Sequence, residues 1–79
     1  MATMGFGRLI GEDPRAVRYE FGTSPESIEG TLVIPVDDPD SWYVDGSTTK
    51  PALARNVLHK ALRLHRRDGA WPRNASFFS

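Results

Sequence analysis

His59 and His65 are the only histidines in the chain, and they are the first residues to weigh for acid–base or metal chemistry. Six positions apart, they fall on different sides of a helix that carries both, so they do not form the i, i+4 pair of a helical zinc site. No serine or carboxylate is tied to either imidazole by a recognisable catalytic spacing. The chain has no cysteine, which excludes a thiol nucleophile, a cysteine-based zinc site and a disulfide framework. Asp37, Asp38, Asp40 and Asp45 crowd one stretch, and hard cations want several oxygen ligands. Counted as an EF-hand from Asp38, however, the third oxygen position falls on Trp42, and neither the central glycine nor the terminal glutamate follows. These aspartates read as an exposed acidic turn. The run Gly5-Phe6-Gly7-Arg8-Leu9-Ile10-Gly11 has the glycines of a phosphate loop at the wrong spacing and with no helix after it, so hairpin flexibility is the expected account. No catalytic residue, metal or cofactor is therefore expected, and the chain reads as non-enzymatic.

Charge is the feature that remains. Residues 1–46 carry nine carboxylates against three arginines, whereas residues 47–79 carry seven basic side chains against Asp68 alone. The formal net charge of zero is thus −6 followed by +6. An acidic front joined to a basic segment can neutralise itself, make complementary contacts with a second copy, or offer its basic side to another anionic partner. Arg55, His59, Lys60, Arg63, Arg66 and Arg67 are the expected contact residues, joined by Trp71, Phe77 and Phe78 of the C-terminal segment, because arginine and aromatic side chains are enriched at interface hot spots. A protein partner or self-association is the first expectation, in an accessory, regulatory, inhibitor or immunity-type role. Nucleic acid bound through the same arginines is the alternative. It lacks support from any fingerprint: no second helix precedes the basic one, and Tyr19 and Phe21 lack a ribonucleoprotein motif.

The elements that must position these residues follow from periodicity. Ala16 to Phe21 alternates, with Val17, Tyr19 and Phe21 on one face and Arg18 and Glu20 on the other, as in a half-buried strand. Phe6 to Glu12 is a second strand, folded back on it through Glu12-Asp13-Pro14-Arg15 as an antiparallel hairpin. Ile28, Leu32, Ile34 and Val36 share one side of a third strand, whose end at Pro35 belongs at an edge or a bulge. Ser41 to Val44 is a short aromatic strand or an arm across the sheet. Ser47, Thr48 and Thr49 are cap candidates for a helix beginning near residue 49 or 50, with Pro51 in its first turn and Gly69 as its stop after Arg67 or Asp68. At about 100° per residue, Leu53, Ala54, Val57, Leu58, Ala61, Leu62 and Leu64 gather on one half of that helix and the basic residues on the other.

The expected architecture is α+β: a three- or four-stranded antiparallel meander packed against one C-terminal amphipathic helix, in the order β-β-β-(β)-α, followed by an aromatic tail. One domain spans residues 1–79, with an acidic strand-rich part at 1–46, the basic helix at 47–69 and the tail at 70–79. A core this small leaves a thin stability margin. No apolar run is long enough to cross a bilayer, and Met1 to Arg8 has neither the apolar core nor the cleavage pattern of a secretion signal, so no membrane partner and a cytoplasmic location are expected. Eight arginines against two lysines, with abundant Ala, Gly and Pro, suggest a GC-rich bacterial or phage source.

Overall fold

Val17, Tyr19 and Phe21 are all buried, and the strand that carries them is the centre of the molecule. In a computed structural model that describes residues 4–78, five strands and one α-helix follow in the order β1 (Met4–Glu12), β2 (Ala16–Gly22), β3 (Ile28–Pro35), β4 (Tyr43–Val44), α1 (Ala52–Asp68) and β5 (Phe77–Phe78). A 3₁₀ turn at Pro39–Ser41 joins β3 to β4. The sheet order is β4-β3-β2-β1-β5, and every pairing is antiparallel. The meander and the helix behind it are as expected. Residues 1–3 and Ser79, at the ends of the expected N-terminal segment and tail, lie outside the described residues.

The core is the layer between α1 and one face of the sheet. Leu32 and Ile34 of β3, Val44 of β4 and Trp42 join the β2 side chains there, facing Ala54, Val57, Leu58 and Ala61 of the helix. The β1–β2 turn is held by Asp13, whose Oδ1 accepts the backbone N–H groups of Arg15 at 2.8 Å and Ala16 at 3.0 Å. Those two bonds, with the nearby Arg18 guanidinium, hold the Asp13 carboxyl below the usual range. This is the local turn chemistry that Asp supplies.

Two extra residues alter the alternation. Leu9 pairs with Tyr19 but Gly11 pairs with Arg18, so Ile10 is an insertion in β1 and stands 48% exposed. Likewise Phe21 faces Gly30 and Gly22 faces Ile28, which inserts Glu29 in β3. One added residue reverses the facing of everything beyond it. Ile28, expected beside Leu32 in the core, is consequently turned away and 39% exposed. On the open face Val33 is buried instead, set in register between Arg18 and Tyr43.

The glycines of β1 also have a different reason from the expected flexibility. Gly5 and Gly7 are buried within the strand. A Cβ on Gly7 would lie 2.7 Å from Val57 Cγ1, and one on Gly5 would lie 2.9 Å from Leu53 Cδ1 and run into the Phe77 ring. They are the places where helix and tail approach the strand, which only a residue without a side chain allows.

The helix begins later than expected. Pro51 occupies the cap position with extended backbone (φ −63°, ψ 150°) and no side-chain capping bond, while Ser47 and Thr49 bond to one another. Its end is as expected: Gly69 adopts φ 76° and its N–H donates to the His65 carbonyl at 2.8 Å, the left-handed cap that glycine provides. Beyond it the chain returns along β1. Leu9 donates its N–H to Arg73 O and Ala75 donates to Gly7 O, each at 2.9 Å, and the segment ends in β5, an added edge strand absent from the expected order.

Candidate functional site

The outer side of α1 is built by the same periodicity that builds its inner side. Arg55, Asn56, His59, Arg63, Arg66 and Arg67 are exposed, and Lys60 is half-buried beside them. With Ala54, Val57, Leu58 and Ala61 buried, a turn of about 100° per residue places Arg55, His59, Arg63 and Arg66 in one ridge on the side of the helix away from the core. The eleven steps from Arg55 to Arg66, at about 1.5 Å each, make that ridge roughly 16 Å long. Asn56 belongs to it and escaped notice in the sequence, because an uncharged residue does not mark a basic stripe.

The electrostatics of this ridge are set by what does not approach it. Among the described residues there are three ion pairs: Arg8 with Glu20, Arg18 with Asp13 at 3.2 Å, and Arg67 with Asp68 at 2.9 Å. The first two lie within the β1–β2 region and the third joins neighbours in sequence. No ion pair among the described residues joins α1 to a carboxylate of residues 1–46. Intramolecular neutralisation, one of the three options for the divided charge, is therefore not realised in direct contacts. Within the third pair, hydrogen bonding to Arg67 holds the Asp68 carboxyl low, and Asp68 in return raises the guanidinium. Arg55, Lys60, Arg63 and Arg66 have no such partner among the described residues.

The acids are gathered elsewhere. Glu26 lies in the turn before β3, Glu29 at its inserted position, Asp37, Asp38 and Asp40 between β3 and β4, and Asp45 just after β4, where its N–H donates to Thr31 O at 2.9 Å. All six are exposed. They follow β3 from end to end: Glu26 precedes its start, Glu29 and Asp45 flank its middle beside β4, and Asp37, Asp38 and Asp40 follow its far end. Among the described residues no three His, Asp or Glu side chains are grouped so as to hold a metal ion. The nearby Lys50, also missed in the sequence, places its ammonium 4.9 Å from the centre of the buried Trp42 ring, a contact worth about 0.5–1 kcal/mol at an exposed site.

The aromatic residues expected to share the contact surface sit differently from the arginines. Trp71 is half-buried against the core and stacks on His65, with ring centroids 4.2 Å apart and planes 22° from parallel. Phe77 is also half-buried against the core. Phe78 takes part in β5 by pairing with Met4, but its side chain lies outside the described part of the structure. Tyr19 fixes this segment from below, donating its hydroxyl to Pro72 O at 2.6 Å. The two histidines are separated as expected, with His59 on the exposed ridge and His65 under Trp71. The bulge of β1 leaves a shallow groove between Ile10–Glu12 and Arg73–Asn74, which no sequence signal marked and which gathers no nucleophile beside a base. Comparison with family models, with curated proteins and with solved structures finds no match to this chain.

Proposed function

We propose that this chain is a small, non-enzymatic binding module, cytoplasmic in location, whose α1 ridge takes an acidic protein surface in an accessory or regulatory role. The observation that carries the reading is the row of exposed cations at Arg55, Arg63 and Arg66 that no carboxylate of the described chain contacts. Arginine suits such a contact, since its planar fork meets carboxylates in pairs of hydrogen bonds. A protein surface is favoured over a nucleic acid on charge grounds. Nucleic-acid binding draws on a strongly positive domain, whereas this one has no net charge and displays exposed carboxylates at Glu12, Glu26, Glu29, Asp37, Asp38, Asp40 and Asp45, outside any ion pair among the described residues, that would repel a phosphate backbone. Trp71 and Phe77, moreover, pack on the core instead of offering faces on which bases stack.

Fluorescence anisotropy of labelled poly-L-glutamate provides the test. Binding is expected at about 50 mM salt and should weaken toward 1 M, as the Debye length falls from about 10 Å at 0.1 M to about 3 Å. The triple variant Arg55→Glu, Arg63→Glu, Arg66→Glu should lose it. Binding of duplex DNA in place of polyglutamate, with log K falling against log salt at a slope near −3.6 as for about four neutralised phosphates, would overturn the reading in favour of nucleic acid.

A further inference from the structure

We propose that the acidic surface taken by α1 is the β3–β4 edge of a second copy of this chain. The inference rests on the reading of α1 as a surface for acidic protein, and it names the partner. Each copy carries both halves of the contact and leaves both unpaired. Glu26, Glu29, Asp37, Asp38, Asp40 and Asp45 are exposed along β3, β4 and the turns that flank them, and Arg55, Lys60, Arg63 and Arg66 stand on the helix, with no ion pair to any of them among the described residues. Two copies with no net charge meet without overall repulsion, and their divided charge selects the orientation that brings helix to edge.

A second observation marks the same edge. Three large apolar side chains are exposed among the described residues, and two of them, Ile28 at 39% and Tyr43 at 45%, belong to β3 and β4. Apolar and aromatic groups ringed by charge are how protein interfaces are composed, and a tyrosine ring is a partner for an arginine of the opposing helix. Two cations lie near that edge, Lys50 over Trp42 and Arg15, whose carbonyl accepts the Val36 N–H at 2.8 Å. They leave the balance of the six carboxylates strongly negative. A two-fold arrangement, in which each helix meets the other's edge, satisfies both halves at once and closes without further growth.

Sedimentation velocity with exchanged charges decides the matter. The wild-type chain should sediment at twice the monomer mass at low salt and as a monomer near 1 M. The helix variant Arg55→Glu, Arg63→Glu, Arg66→Glu and the edge variant Glu29→Lys, Asp40→Lys, Asp45→Lys alter exposed positions and should each be monomeric alone. An equimolar mixture of the two should regain the dimer mass, because each reversed helix then faces a reversed edge. A wild-type chain that stays monomeric at low salt and high concentration, or a mixture that does not regain the dimer, overturns the proposal. If polyglutamate still binds in that case, only self-pairing fails; if it does not, the reading of the helix fails too.

Discussion

Gly7 and Gly11 occupy the same strand for different reasons, and substituting each tests the packing of α1 on β1. At Gly7 a methyl group would meet Val57 Cγ1 at 2.7 Å and the Ala75 carbonyl at 3.2 Å, whereas at Gly11 nothing lies within 4 Å. Gly7→Ala should therefore lose about 1–3 kcal/mol by overpacking, while Gly11→Ala stays within about 0.5 kcal/mol of wild type; urea denaturation measures both. Neither role was visible in the sequence, because a strand glycine acquires its meaning from whichever element lies over it. Tyr19 offers a second test. Burial, aided by the charge of Glu12, pushes its hydroxyl above the ordinary value of 10.0. The unfolded chain thus releases this proton before the folded one does, so the contribution to stability is complete below about pH 10 and is lost as pH rises beyond it. Tyr19→Phe should flatten that alkaline decline in the urea midpoint. At neutral pH it should cost about 1–3 kcal/mol, since the Pro72 carbonyl loses its donor.

Elements with strong periodicity were legible, and those created by contact were not. The alternation of β2 and the 3.6-residue stripe of α1 each identify a buried face without further information, and Gly69 marks its own stop. The fifth strand has two residues and exists because the chain returns along β1, which no local pattern encodes. The two inserted residues, Ile10 and Glu29, are invisible for a related reason: each looks like ordinary alternation until the register of the neighbouring strand is known. At the helix start the cap candidates were outcompeted because Pro51 is extended and leaves the first turn to Ala52. The basic side chains of α1 were legible as a stripe, while aromaticity, shared by cores and interfaces, did not show that Trp71 and Phe77 are half-buried against the core. Leu58 is 3% exposed within the core and ties α1 to the sheet. Leu58→Ala should cost about 2–5 kcal/mol, enough to unfold much of so small a domain. A thermal melt followed by circular dichroism should show the transition lowered or absent.

At the scale of the molecule, the described chain separates charge without neutralising it. The sheet gathers six carboxylates toward β3 and β4, the helix turns its cations outward, and the direct ion pairs among the described residues stay within the β1–β2 region or join neighbours. No helix of the described residues is long and apolar enough to cross a membrane. A chain arranged in this way has an electrostatic reason to meet a protein that is acidic where its helix is basic, and its own edge meets that requirement. The division of charge was fully legible in the sequence; that no ion pair joins α1 to the acidic segment among the described residues was not, since sequence order does not fix which faces of a fold adjoin. Amide chemical-shift mapping of the isotopically labelled chain, titrated with poly-L-glutamate at about 50 mM salt, where screening is modest, tests whether the α1 ridge is the acid-binding surface. Shifts concentrated at Arg55, His59, Arg63 and Arg66, and reversed by added salt, are expected. Shifts confined to the open face of the sheet, or none at any ratio, would contradict it.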